Sequence, residues 1–206
     1  MINFALKYRQ SFMNEVKQKI MELPPDTIIF VSDYSDMMND KAISRILSTM
    51  EKRGEIVRLG QGIYLKPEMS RFGVVYPSVH KIAEAIAQRD SAQILPAGET
   101  AENLLGLSTQ VPMTYSYITS GSAREISAGG KSIVFKRGVP KNFAFENKAM
   151  ALLFQALKSI GKGNVDDEAL ATIRTLLNTL PDKESARRDS RLLPAWMRQI
   201  IIPIII

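Results

Sequence analysis

Three cations and two hydroxyls recur at helical spacing within "NDKAISRILSTMEKRG" at residues 39–54. They are Lys41, Ser44, Arg45, Ser48 and Lys52, which share one side of a helix because residues three and four apart are neighbours there. Lysine and arginine can bond the O6 and N7 atoms of guanine, and the preceding Asn39 has the amide that reads adenine. The pattern indicates contact with nucleic acid, while a solvated helix face without a ligand is the alternative.

A second set of polar residues belongs to "RLGQGIYLKP" at residues 58–67. Two short apolar runs flank Gly60-Gln61-Gly62, which predicts a β-hairpin in which both glycines adopt positive φ. Arg58 before the turn and Lys66 after it can neutralise phosphate, and Gln61 at the tip can donate a hydrogen bond to it. The hairpin is therefore a candidate for contact with a DNA backbone.

The elements around these residues have a recognisable order. The pattern predicts a helix over residues 8–22 ended by Pro24-Pro25, a strand at "TIIFV" and a helical turn at "SDYSDM". The polar-faced helix follows, with Asn39 or Asp40 as its cap, Gly54 at its end and an apolar stripe of Ile43, Ile46, Leu47 and Met50. The hairpin completes the series, so we expect a winged helix-turn-helix DNA-binding domain over residues 1–70.

The rest of the chain, residues 71–206, is predicted to be a mixed α+β domain after a linker near "KPEMSRFGVVYP". Helices are expected at "SVHKIAEAIAQRD" and "ETAENLLGL", and strands at "AQILPAG", "TYSYIT", "REIS", "KSIVFKR" and "NFAF". Two amphipathic helices then follow from Met150 and from Leu170. The apolar end, "WMRQIIIPIII", is far shorter than the roughly 20 residues of a spanning helix, and a last strand or docked tail is the expectation.

Four further cations, Lys131, Lys136, Arg137 and Lys141, cluster around the predicted strand "KSIVFKR". They form either a second basic surface or the exposed face of a strand pair. The nearby "GGKS" lacks the glycine loop of a Walker motif and indicates a hairpin turn.

Composition excludes several kinds of chemistry. The 206 residues contain no cysteine and one histidine, His80, too few for most zinc sites or serine triads. We therefore expect no enzyme activity, no metal and no cofactor. The net charge of +6 permits a nucleic-acid partner. The N-terminus has no secretory pattern, so a cytoplasmic location is expected, with no membrane partner.

Three stretches resemble a known family: "AISRILSTMEKRGEIVRLGQGIYLKP", "LPAGETAENLLGLSTQVPMTYSYITSG" and "IVFKRGVPKNFAF". The chain is similar to the AbiEi-like antitoxins of type IV toxin–antitoxin systems, in particular a Bacteroidetes-rich branch, over roughly residues 8–200. The segments "GLSTQVP", "YITSG" and "FKR" carry more of this likeness than the winged helix does. The resemblance implies a repressor that binds double-stranded operator DNA and counters a nucleotidyltransferase toxin without needing a stable complex.

A second function remains open at this point. The winged helix could belong to a regulator unrelated to a toxin, in which the middle of the chain binds a small molecule. A dimer on an inverted repeat and a tandem of monomers are equally compatible with the sequence.

Overall fold

The chain divides into two units in the computed structural model. The first contains Met1–Ile82 with Ile126–Gly129, and the second contains Ala83–Glu125 with Gly130–Ile206. The structure describes the backbone of residues 2–205 and the side chains from residue 10 to residue 205. Both units combine helices and strands, so the fold is mixed α+β, as predicted.

The first unit follows the predicted order of elements closely. It contains α1 (Ile2–Glu22), β1 (Thr27–Phe30), α2 (Asp40–Lys52), β2 (Val57–Gly60) and β3 (Ile63–Lys66). Helix α1 starts before the expected residue 8, and a 3₁₀ turn at Val31–Tyr34 occupies the place of the short helix. The three strands form an antiparallel sheet in the order β1-β3-β2.

One apolar cluster joins the helices of the first unit to its sheet. Ile43, Ile46, Leu47 and Met50 of α2 are all at most 1% exposed, as the stripe predicts. They belong to one cluster with Val16 and Ile20 of α1 and with Ile29 and Tyr64 of the sheet. This burial fixes the rotation of α2 and turns its opposite face to solvent.

The segment after residue 66, predicted as a linker, contains two further strands. Residues Glu68–Ser70 (β4) and Gly73–Val75 (β5) pair as an antiparallel hairpin with Arg71 and Phe72 at its tip. The backbone turns there because Gly73 adopts a φ of 110°. A second hairpin therefore follows the first with only Pro67 between β3 and β4.

The remaining chain begins with helix α3 and continues into a mixed sheet. The elements are α3 (Val79–Arg89), β6 (Ile94–Ala97), α4 (Glu99–Leu104), β7 (Thr114–Thr119), β8 (Arg124–Ala128) and β9 (Lys131–Arg137). Strand β7 pairs antiparallel with β6 and parallel with β9, so Thr119 lies opposite Arg137 at one end of the pair.

Four helices complete the second unit: α5 (Lys148–Ile160), α6 (Asp167–Asn178), α7 (Lys183–Asp189) and α8 (Ala195–Ile205). Leu153 and Leu157 of α5 form a buried cluster with Ile173 of α6 and Ile201 of α8. Asn147 begins α5, since its side-chain oxygen accepts hydrogen bonds from the Ala149 and Met150 amides at 3.0 and 3.2 Å.

Two strand predictions in the second unit are wrong. The segment "NFAF" is not a strand, because a 3₁₀ turn covers Pro140–Phe143 and Asn142 accepts the Val139 amide at 3.1 Å. The apolar C-terminal segment is helix α8 rather than a strand or extended tail. Its buried residues Met197, Ile201 and Ile205 recur every four positions, which suits a helix packed on one face. None of the helices between residues 2 and 205 combines the length and apolar character needed to cross a membrane.

Candidate nucleic-acid interface

The start and end of α2 are set by local interactions. The Asn39 side-chain oxygen accepts the Ala42 amide at 3.0 Å, which caps the helix. Gly54 has a φ of 72° and ends it in the left-handed conformation that glycine favours. Asn39 is thus the cap of α2, and its oxygen already has a donor, which weakens the prediction that this amide reads adenine.

The basic face of α2, defined as Lys41, Ser44, Arg45, Ser48 and Lys52, is turned to solvent. Its three cations are exposed, while Ser44 and Ser48 are half-buried. Among residues 10–205, no carboxylate forms an ion pair with Lys41, Arg45 or Lys52. The face therefore carries three positive charges that are available to a phosphate or a base edge.

The turn before α2 anchors the N-terminal end of this face. Tyr34 is 8% exposed and belongs to the apolar cluster beneath α2. Its carbonyl accepts the Met37 and Met38 amides at 3.0 and 3.2 Å, which closes the turn. Burial raises the pKa of the Tyr34 hydroxyl, and the negative charge of Asp33 adds to the effect. The segment is thus fixed by packing although it contains no α-helix.

The tip of the β2–β3 hairpin presents two of the predicted residues. Arg58 and Gln61 are both exposed, and Arg58 Nε donates to the Gly60 carbonyl of the same strand at 3.3 Å. Gly62 has the expected positive φ of 70°. Gly60 does not have a positive φ, and its role is close packing instead. An ideal Cβ at Gly60 would lie 2.8 Å from Ile126 Cγ2, so the expectation for this glycine is corrected.

Lys66 lies apart from this tip. It is half-buried on the central strand opposite Thr27, and its amine contacts the Met21 sulfur at 3.5 Å. It lies four positions after Gly62 along an extended strand, a distance of about 13 Å. Arg58 and Lys66 stand on opposite arms of the hairpin, as the sequence indicates, but Lys66 lies away from the tip.

The sequence prediction missed three exposed residues of the first unit, Arg53, Arg71 and Phe72. Arg53, directly after α2, is exposed and its guanidinium lies 3.9 Å from the Glu55 carboxylate. Phe72 at the tip of the β4–β5 hairpin is 85% exposed, with the Arg71 guanidinium 4.6 Å from its ring centre. The sequence signal for Arg71 and Phe72 is "SRFG", a cation and an aromatic residue before a turn glycine.

The predicted second basic surface is divided in the structure. Lys131 lies at the start of β9 with its amine 5.5 Å from the Tyr115 ring, and Lys141 is exposed on the 3₁₀ turn. Lys136 and Arg137, at the end of β9, line a cleft of about 450 Å³ together with Lys158 of α5, a residue that the sequence prediction missed. No three His, Cys, Asp or Glu side chains of the described part of the chain are grouped so that they could hold a metal ion.

A family model matches residues 15–185, which is most of the chain. The chain belongs to the family of unknown function DUF6088. The match begins within α1 and ends within α7, so membership of DUF6088 rests on both units and not on α2 alone. No protein with curated annotation matches the chain closely enough to count as a relative.

Proposed function

We propose that this chain is a transcriptional autoregulator that binds operator DNA and an antitoxin that counters a nucleotidyltransferase toxin. The observation that carries the DNA-binding role is the basic face of α2, with three exposed cations and no carboxylate paired to them among residues 10–205. The antitoxin role is supported only by the resemblance of "GLSTQVP", "YITSG" and "FKR" to AbiEi-like antitoxins. Both roles are binding roles in the cytoplasm and require no catalysis.

The order of elements supports a winged helix-turn-helix as the DNA-binding form. A helix, a strand, a short turn, the helix α2 and a hairpin follow one another, with the strand order β1-β3-β2. In this arrangement α2 is the recognition helix, whose first turns face base edges in the major groove. Lys41 and Arg45 occupy those turns, whereas Lys52 at the other end is placed for a phosphate. The β2–β3 hairpin is the wing, with Arg58 and Gln61 near its tip.

DNA binding is tested with the full chain and the region upstream of its own gene. Fluorescence anisotropy should show tighter binding to that region than to a scrambled duplex of the same length. Replacing Lys41, Arg45 and Lys52 together by alanine should abolish the difference. The double variant Lys162→Ala/Arg174→Ala is the control, because both residues are exposed cations of the second unit that form no ion pair with another residue between 10 and 205. Equal binding to both duplexes by the wild type would contradict the operator role.

The antitoxin role needs a separate experiment in cells. Co-expression with a nucleotidyltransferase encoded beside this gene should restore growth that the transferase alone arrests. The triple variant of the basic face should still restore growth, provided that expression is driven from an unrelated promoter. Growth arrest that persists with the wild-type chain would refute the antitoxin role and leave the DNA-binding role standing.

A second candidate is a ligand-sensing winged-helix regulator without a toxin. The cleft formed by Lys136, Arg137 and Lys158 in the second unit favours it, since such a cavity is in the size range of small-molecule sites. Binding of the operator that depends on a small ligand, without any effect on a toxin, would distinguish this function from the first.

A further inference from the structure

A cleft in the second unit has the features of a binding site. It opens between the ends of strands β6 and β9, the middle of β7 and the last turns of α5, and encloses about 450 Å³. Small-molecule sites in proteins span roughly 300 to 1,000 Å³. The cleft could therefore hold a molecule larger than an inorganic ion.

The charged groups of the cleft all have the same sign. Lys136, Arg137 and Lys158 are exposed and line it, and no carboxylate is part of the lining. None of the three forms an ion pair with another residue between 10 and 205. Lys158 also has a structural reason for its position, because a cation in the last turn of a helix interacts favourably with the helix dipole. Lys136 and Arg137 have no such reason, which points to an anionic ligand.

A buried amide gives independent support. Gln155 lines the same cleft from α5 and is 2% exposed. Its nitrogen Nε2 has no hydrogen-bond partner within the described structure. Buried side-chain donors are normally paired, and leaving one unpaired is unfavourable. An acceptor oxygen of a ligand in the cleft would satisfy this donor.

Two glycines shape the walls of the cleft. Gly98 has a φ of 60°, and an ideal Cβ there would come within 4.0 Å of the Ser159 hydroxyl. At Gly138 an ideal Cβ would lie 2.2 Å from Ile118 Cγ2, so any side chain is excluded. The Gly138 amide also donates to the Thr119 carbonyl at 2.8 Å. This close packing fixes the backbone directly after Arg137 and holds that side chain at the cleft.

We propose that this cleft binds a small organic phosphate. Lys136, Arg137 and Lys158 pair with the phosphate oxygens, since a guanidinium matches phosphate in a bidentate geometry and lysine acts as a point charge. The Gln155 amide donates to an oxygen deeper in the cleft. Ala97, Ile118 and Val139 provide apolar wall for the organic part of the ligand.

The same cations could instead contact the phosphates of a nucleic acid. A small molecule is favoured because the unpaired Gln155 donor is buried at 2% exposure, where the backbone of a duplex does not reach. The site consists of residues of the second unit alone and does not depend on DNA binding by α2. It would give a regulator a chemical signal to which it can respond.

Isothermal titration calorimetry of the full chain tests the proposal, with ATP as the organic phosphate and with pyrophosphate and sulfate as simpler anions. We expect ATP to bind at least tenfold more tightly than sulfate. Arg137→Ala and Gln155→Leu should each weaken ATP binding about tenfold, whereas the exposed-cation controls Arg174→Ala and Lys162→Ala should not. Equal affinity for ATP and sulfate, or equal losses in the controls, would overturn the proposal.

A stability measurement excludes a purely structural role for Gln155. Leucine has a similar size and removes the unpaired amide, so Gln155→Leu should melt at or above the wild-type temperature without ligand. A lower melting temperature together with unchanged ATP affinity would overturn the role of this residue. A 20-base-pair duplex is the last competitor. If it displaces ATP from the wild type and loses affinity in Arg137→Ala and Gln155→Leu, the cleft is a nucleic-acid surface and the proposal is wrong.

Discussion

The side chain of Ile126 occupies the space in which a side chain at Gly60 would begin. An ideal Cβ on Gly60 lies 2.8 Å from Ile126 Cγ2 and 3.4 Å from Ile126 Cβ. Ile126 is 4% exposed, so it has little room to move. The end of β2 beside the turn is therefore held by packing, and the turn itself by the positive φ of Gly62.

The substitution Gly60→Ala should destabilise the fold by about 1–3 kcal/mol, the usual range for overpacking. Combined with Ile126→Ala it should cost less than the sum of the two single changes, because the clashing methyl group is removed. Gly62→Ala should cost about 1–2 kcal/mol through its backbone conformation, and Ile126→Ala should not relieve that cost. Urea denaturation measures all five variants, and additive costs for Gly60 and Ile126 would contradict the packing explanation.

The apolar face of α2 can be tested at one position. Leu47 is 0% exposed, and Leu47→Ala should lower the free energy of unfolding by about 2–5 kcal/mol. Leu104→Ala is the control, since Leu104 is 52% exposed and should change stability little. Thermal denaturation monitored by circular dichroism compares the melting temperatures of both variants with that of the wild type. A Leu47→Ala protein with an unchanged melting temperature would show that the buried stripe does not support α2.

The first unit could be predicted well because local signals agree with each other there. The apolar period of Ile43, Ile46, Leu47 and Met50, the cap at Asn39 and the stop at Gly54 all specify the same helix. The role of Gly60 could not be predicted, because Ile126 lies 66 residues away in sequence and only the tertiary fold brings it there.

The C-terminal segment shows a conflict between local preference and packing. Its β-branched isoleucines and Pro203 favour a strand or a break. The observed helix instead buries Met197, Ile201 and Ile205 against Leu153, Leu177 and their neighbours. Burial of one helical face outweighs the weak preference of each residue.

Only part of the candidate cleft could be predicted from the sequence. Lys136 and Arg137 are adjacent in "FKR", and this charge predicts a basic surface. Gln155 and Lys158 belong to a helix whose sequence has the pattern of an ordinary amphipathic helix. Their position at the cleft depends on how α5 packs on the sheet, which no local pattern encodes.

Stability at alkaline pH should depend on Tyr117. Burial raises its pKa well above the ordinary value of 10.0, with smaller contributions from Tyr115 and Glu84. Well below pH 10.0 both the folded and the unfolded chain keep the Tyr117 proton, and the full stability is present. As the pH rises through 10.0 the unfolded chain loses this proton first, so the free energy of unfolding falls. Tyr117→Phe keeps the ring that stacks on Phe135 and should make unfolding free energies between pH 8 and 11 fall less steeply. Parallel profiles of unfolding free energy against pH for the wild type and Tyr117→Phe would contradict this role of Tyr117.

The substitution Arg45→Ala should show whether this residue of α2 contacts a base or a phosphate. If it bonds a guanine, Arg45→Ala should weaken operator binding by about 1–3 kcal/mol and change non-specific binding less. Arg174→Ala should leave both affinities unchanged. Titrations against operator and scrambled duplexes decide between the two. An equal loss on both would make Arg45 a phosphate contact, and no loss on either would remove it from the interface.

The two cations of the β2–β3 hairpin should behave differently although both are basic. Arg58 is exposed near the tip, where its Nε donates a long hydrogen bond to the Gly60 carbonyl, at 3.3 Å. Lys66 is half-buried beside Met21 at the far end of its strand. A wing that contacts DNA through its tip should therefore use Arg58 and not Lys66.

Salt dependence measures this difference. Each phosphate contact adds about 1 to the slope of log affinity against log salt, because a bound counterion is released. Arg58→Ala should reduce that slope by about 1 and lower affinity for every duplex alike, whereas Lys66→Ala should leave it unchanged. Gln61→Ala is the uncharged control at the tip, since it can weaken binding but releases no counterion. Anisotropy titrations at four salt concentrations give the slopes. A loss in Lys66→Ala equal to that in Arg58→Ala would mean that the whole hairpin lies along the DNA, and an unchanged slope in Arg58→Ala would mean that its tip does not touch it.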